Sequence, residues 1–163
     1  MDAIQALKTR RSIRAYKPQA VSREILADLV GCARLAPTAM NVQLWKFVVV
    51  TDKQTIGQIG KLIAHATWLP AAPAVIAVLS ADQKFYVEDC SAATQNLMLA
   101  ASAHGLGSCW VSGDKQPYAD DVRKIVCSDG SMKLFSVVAV GYAAEQPAPE
   151  KKTLEQVMAW EKM

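Results

Sequence analysis

Residues 35–51 read LAPTAMNVQLWKFVVVT, and three changes of local structure are written into that stretch. A helix arriving from the N-terminal side is stopped by Pro37, which cannot extend the intrahelical hydrogen-bond ladder. Thr38, Asn41 and Gln43 then occupy a polar turn. From Leu44 to Thr51 the chain becomes apolar and β-branched over a short run, which predicts a buried strand.

The incoming helix starts after Ser22, a suitable N-cap, and its apolar stripe is Ile25, Leu26, Leu29, Val30 and Ala33. Before it, RRSIRAYKPQAV (10–21) is basic, broken by Pro18 and without helical period, so it reads as a loop. Residues 2–9 form a short helix with Ile4 and Leu7 on one side. Downstream, Asp52 can cap a weaker helix to about Ile63, softened by Gly57 and Gly60. PAVIAVLS (73–80) is a second buried strand, its proline tolerable at the first position. The longest helix spans 86–104, with Val87, Cys90, Thr94, Leu97, Met98 and Ala101 on its apolar face and Gly105 at the left-handed position after it. GSCWVSG (107–113) is a short strand or extended turn. A helix around 119–126 and the strand KLFSVVAVGY (133–142) follow. The tail, 143–163, contains EQPAPEKK and then a short amphipathic helix bearing Leu154, Val157 and Trp160. Strands separated by helices imply a sheet covered on both faces, α/β or α+β. With no repeat or linker, residues 1–163 are expected to form one domain.

A chain of 163 residues can bury about two-thirds of its unfolded surface. Hydrophobic residues make up 52% and charged residues 20%, the balance of a packed globule with apolar surface to spare for an obligate dimer. A net charge of +3 argues against a nucleic-acid protein, yet Lys8, Arg10, Arg11, Arg14 and Lys17 fall together. Cys32, Cys90, Cys109 and Cys127 show neither CxxC spacing nor a secretory framework, and read as reduced cysteines of a cytosolic protein. MDAIQALKTRR lacks the apolar core of a signal peptide, and the apolar stretch from Trp68 to Ser80 is too short to span a bilayer. These features predict a soluble, cytoplasmic protein. His65 and His104 lack metal-ligand spacing, and no GxSxG or cysteine-nucleophile motif is present, so neither a metal site nor hydrolytic chemistry is expected.

Three segments carry candidate chemistry. Arg10, Arg11 and Arg14 with Ser12 offer the guanidinium forks and hydroxyl that a phosphate needs, although an isolated RRxxR is more often a solvated basic face. Thr38, Asn41 and Gln43 lie where side-chain amides could match a flavin imide or a base edge, or where Asn41 merely makes the turn. Ser112 and Gly113 close a glycine-containing segment whose backbone amides could meet a ligand, or whose glycines only cap a helix and turn the chain. The Rossmann and phosphate-loop fingerprints are absent.

Taken in order, TRRSIRAY (9–16), LAPTAMNVQLWKFVVV (35–50), AATQNLMLAASAHGLGSCWVSG (92–113) and VVAVGYAAEQPAP (137–149) resemble the nitroreductase family of FMN enzymes, from about residue 3 to the tail. The resemblance implies an α+β homodimer with a mostly antiparallel central sheet and FMN at the subunit interface, the tail reaching the partner. It assigns Arg10 and Ser12 to the FMN phosphate with Arg11 nearby, and Arg14 to the N1–O2 edge of the ring. Thr38, Asn41 and Gln43 go with the turn at the ring's polar edge and ribityl chain, Ser112 and Gly113 with the backbone facing N5, and Lys151 or Lys152 with the basic tail residue of the phosphate site. Flavin N5 then carries the chemistry without a catalytic side chain. NADH or NADPH is the donor and a nitroaromatic, quinone or similar electrophile the acceptor, in a ping-pong cycle. The alternatives are a flavin-binding sensor or carrier without turnover, and relatives specialised for dehalogenation, flavin fragmentation or cyclodipeptide oxidation. A non-redox anion-binding module is the rival outside the family. The family's common NxQPW reads NVQLW here, lysines stand where a tail arginine is frequent, and the helices that cover the flavin in longer relatives are missing.

Overall fold

The first three helices begin where a side chain can take one of the first free amides. A computed structural model describes residues 2–163. Asp2 accepts from the Gln5 amide at 2.9 Å to open α1 (Ala3–Thr9), and Ser22 accepts from Ile25 at 3.3 Å to open α2 (Arg23–Ala33). A single 3-10 turn at Ala39–Asn41 leads into β1 (Trp45–Val50). Asp52 accepts from Thr55 at 2.7 Å at the head of α3 (Lys53–Leu62), and a second 3-10 turn, Leu69–Ala71, precedes β2 (Ala74–Ala81). α4 (Tyr86–Ala103) ends in a Schellman arrangement: Gly105 takes φ 74°, its amide reaches Ser102, and the Leu106 amide reaches the Ala101 carbonyl at 2.8 Å. β3 (Gly107–Ser112), α5 (Ala119–Val126) and β4 (Met132–Gly141) complete the chain.

The four strands lie in the order β1-β2-β4-β3 and every neighbouring pair is antiparallel. The fold is therefore α+β; the α/β alternative left open by the sequence would need parallel pairs. Strand periodicity divides the core in two. Val75, Ala77 and Leu79 of β2 pack with Ile56, Ile59 and Val122 from α3 and α5. Ala74 and Ile76 face Leu26, Leu29, Leu97 and Ala101 from α2 and α4. β4 carries one irregularity. Val78 pairs with Ser136 but Leu79 with Leu134, leaving Phe135 as the extra residue of a bulge. Both members of the displaced pair turn toward the α4 side: Phe135 joins the cluster with Trp45, Val78 and Cys90, and the Ser136 hydroxyl lies 3.2 Å from that of Thr94.

Gly107 and Gly141 sit opposite each other across β3 and β4, beneath the basic loop. A Cβ at Gly107 would stand 2.7 Å from Ile13 Cγ1, and one at Gly141 would stand 2.6 Å from Pro73 and 2.9 Å from Tyr16. Gly107→Ala is expected to force Ile13 off its seat and to cost about 1–3 kcal/mol, as over-packing does; equilibrium urea unfolding measures it.

The tail departs from expectation. Instead of an amphipathic helix it forms a single turn, with the Val157 amide donating to Leu154 at 3.1 Å, and Leu154, Val157 and Trp160 are 61%, 64% and 79% exposed. A helix this short is not stable without burial of its apolar side, and the protomer offers that side no surface.

Candidate functional site

The basic loop is threaded along the ends of β3 and β4. The Ile13 amide donates to Ser108 at 2.9 Å, Lys17 to Tyr142 at 2.8 Å, and Ala144 back to Ala15 at 2.9 Å. The Glu145 carboxylate accepts the amides of both Arg14 and Ala15 through one oxygen, and the Tyr16 hydroxyl donates to the Ile13 carbonyl at 2.6 Å. Burial, reinforced by Cys109 and Glu145, pushes the Tyr16 hydroxyl far above its ordinary pKa, so it stays a donor. Burial also raises the Cys109 thiol against the opposing pull of Arg14, which makes a thiolate nucleophile there unfavourable.

So fixed, the loop forms one wall of a cleft of about 500 Å³ lined by Arg10, Arg11, Ser12 and Arg14 on one side, and by Pro147, Ala148, Pro149 and Lys151 of the tail on the other. Lys151 lines it; Lys152 does not. Arg10 Nη1 is buried and has no hydrogen-bond partner. A guanidinium donor left in that state costs on the order of 1–3 kcal/mol or more, which an anion in the cleft would offset. Arg11 is occupied otherwise: its Nη1 donates to the carbonyls of Lys8 at 2.9 Å and Arg10 at 2.8 Å, so it holds the C-terminal end of α1.

The polar turn is built around a buried carboxylate. Asp89, 6% exposed at the start of α4, accepts the Thr38 hydroxyl at 2.7 Å, the Ala39 amide at 3.0 Å and Gln83 Nε2 at 3.1 Å. Thr38 Oγ1 in turn accepts the Gln43 amide at 3.3 Å. Met40, Asn41 and Gln43 are left-handed, with φ of 53°, 57° and 50°, a conformation that asparagine tolerates and the other two are held in. Gln43 Nε2 donates to Asn41 Oδ1 at 3.1 Å. That bond leaves Asn41 Nδ2 and Gln43 Oε1 without partners among the described residues, a donor beside an acceptor on two exposed side chains.

The third segment requires a correction. Ser112 lies in β3 opposite Ser136, and its carbonyl accepts the Tyr118 hydroxyl at 2.6 Å. The Gly113 amide, expected to be released toward a ligand, donates to the Phe135 carbonyl at 2.8 Å, as does Asp114 at 2.9 Å. The β4 bulge turns that carbonyl toward both amides. Glycine is required at 113 for close packing, since a Cβ would meet Leu134 Cγ at 2.8 Å.

Within one protomer the basic loop gathers with Lys151, but Thr38, Asn41 and Gln43 do not join it. The turn is anchored at Asp89, whereas a second cleft sharing Arg10 and Arg11 is lined by Ser102 near the other end of α4. Thirteen residues of helix separate these points, roughly 20 Å at the helical rise. Two structural residues are not among those singled out from sequence. Asp89 has a signal there, because it falls four residues before Ala93 and eight before Leu97, which places it at the edge of the buried face of α4. Glu145 has none in its exposed, proline-rich context.

Comparison with known proteins places the chain in a family. The sequence model of the Nitroreductase family matches residues 7–86 and 65–142. A protein of Methanothermobacter thermautotrophicus, provisionally described as an NADH dehydrogenase/NAD(P)H nitroreductase, is 33% identical over 153 residues, covering 90% of this chain and 80% of that one. A solved structure from Parabacteroides distasonis with the same provisional description superimposes with a TM-score of 0.92 at 27% identity, covering 99% of this chain and 98% of that one. An FMN-dependent nitroreductase from Clostridium difficile gives 0.90 at 26% identity, covering 98% and 99%. The chain belongs to the nitroreductase family. Among the described residues no helix is long and apolar enough to cross a membrane.

Proposed function

We propose that the chain works as a symmetric homodimer holding about one FMN per subunit, and that it passes electrons from NADH or NADPH to a small electrophile such as a nitroaromatic or quinone. The observation that carries the reading is the buried, unpartnered Nη1 of Arg10, a residue lining a cleft whose other polar lining is cationic or hydroxylic. Its donor set fits a phosphate dianion: Arg10 and Lys151 supply charge, Ser12 a hydroxyl, and Arg11 keeps the end of α1 in place. Arg14 is the cation left for the N1–O2 edge of the ring, where negative charge appears on reduction. Asn41 Nδ2 and Gln43 Oε1 match the donor and acceptor needs of an imide edge. Because α4 keeps their turn far from the basic loop, they serve the cleft of the opposite protomer, and Thr38 acts by holding the turn. The backbone of Ser112 and Gly113 is taken up within the protomer by Tyr118 and Phe135, so no contact with FMN is proposed for it. The exposed Leu154, Val157 and Trp160 find their cover on the second subunit. Bound in that cleft, FMN would supply the redox chemistry, taking hydride from the nicotinamide and passing the electrons to the acceptor. Donor and acceptor would occupy the same site in turn, which gives ping-pong kinetics, with protons drawn from solvent. The four free cysteines suit the reducing cytoplasm.

The protein is expected to purify yellow, to release FMN on denaturation, and to bleach anaerobically on addition of NADH or NADPH. FAD, or no flavin after reconstitution, sinks the reading; FMN that neither nicotinamide reduces leaves a sensor or carrier. Arg14→Ala removes a cation that favours the reduced ring, so reduced FMN should lose more affinity than oxidised FMN. By linkage the bound flavin's potential becomes more negative. A spectroelectrochemical titration reads the shift, and an unchanged potential takes Arg14 away from the ring.

A further inference from the structure

We infer that Asp89 is a positioning residue for flavin recognition, acting through Thr38 to set the Asn41–Gln43 turn. The inference rests on the FMN reading above and adds a residue to it. Asp89 lies on α4, is nearly inaccessible, and forms no salt bridge among the described residues. Its oxygens are instead divided among three donors: the Thr38 hydroxyl, the Ala39 amide and Gln83 Nε2. Two of the three belong to the first residues of the turn. A buried carboxylate satisfied only by neutral donors is an expensive way to cap a loop, and any polar side chain could make one such bond. What the carboxylate adds is direction. The Thr38 hydroxyl donates toward the carboxyl oxygen at 2.7 Å. That leaves the Thr38 oxygen lone pairs for the Gln43 amide at 3.3 Å. The chain Asp89–Thr38–Gln43 thereby holds Gln43 at φ 50°, from where its side chain reaches Asn41 and exposes the donor–acceptor pair. Without it, Met40 and Gln43 have no reason to remain left-handed. Gln83 completes the frame, since its Oε1 accepts the Phe85 amide at 3.0 Å at the head of α4.

The test compares FMN and riboflavin binding by the apoprotein of wild type, Asp89→Asn, Thr38→Val and Thr38→Ser. Asp89→Asn keeps the volume but replaces one acceptor oxygen with a donor, and Thr38→Val keeps the shape without the hydroxyl. Each is expected to weaken FMN and riboflavin by the same factor, tenfold or more, because the turn serves the ring and both flavins carry the same ring. Asp89→Asn combined with Thr38→Val should be little worse than either alone, the signature of a shared path. Thr38→Ser, which keeps the hydroxyl, restores binding. A loss confined to FMN, or affinities unchanged in Asp89→Asn and Thr38→Val while only the melting temperature falls, overturns the inference and leaves Asp89 as scaffolding. If Asp89→Asn does not fold, the Thr38→Val and Thr38→Ser pair decides by the same criteria. Wild-type apoprotein that takes up neither flavin defeats the FMN reading itself, an outcome separate from the others.

Discussion

Arg10→Ala is expected to lower FMN affinity by roughly tenfold to a hundredfold, the worth of a charged hydrogen bond of about 1.5–3 kcal/mol. Riboflavin, which lacks the phosphate, should bind the variant and the wild type alike. The effect is large because the Arg10 nitrogen is already desolvated: Nη1 is buried without a protein partner, so the cost of burial is met in folding, before any anion arrives. Lys151→Ala should lose less, as a mobile ammonium is a weaker substitute for the fork. Fluorescence titration of apoprotein with the two flavins separates these cases. Equal weakening of riboflavin and FMN by Arg10→Ala would move Arg10 off the phosphate.

The second large effect is all-or-none. Arg10→Ala subunits have a damaged loop, and Asn41→Ala/Gln43→Ala subunits a damaged turn; each homodimer should bind FMN poorly. Unfolding and refolding an equal mixture yields heterodimers in which one site draws both defects and the other none. About a quarter of all sites should then recover wild-type affinity, as random pairing in a two-fold dimer requires. If both half-sites belonged to the same chain, no combination would be intact and nothing would recover. Counting FMN bound at concentrations too low for the homodimers gives the answer directly.

Much of this architecture is legible in local chemistry. Asp52 and Ser22 cap the helices that their neighbours' periodicity predicts, and Gly105 ends α4 in the left-handed conformation for which glycine is needed. The strands can be recognised from their β-branched runs. Their antiparallel order cannot, because helix-length connections suit parallel crossovers equally well. The basic loop with its serine is visible as a possible anion site, and the structure adds the one fact that sequence lacks, a guanidinium nitrogen buried without a partner. The role of Gly113 is hidden from sequence for a non-local reason: its amide is taken by Phe135, whose placement depends on a bulge in a strand later in the chain. The tail fails in the opposite sense. Its apolar spacing is helical, but periodicity cannot supply the surface against which such a helix forms.

The length of α4 has a further consequence. By holding the turn far from the basic loop, it would, in the proposed dimer, make cofactor capture depend on two chains meeting around each flavin. Wherever subunits are dissociated, the population of competent sites then scales with the square of the amount of chain, so halving synthesis leaves about a quarter of the sites. Flavin supply acts in the same equation from the other side, drawing free chains into pairs.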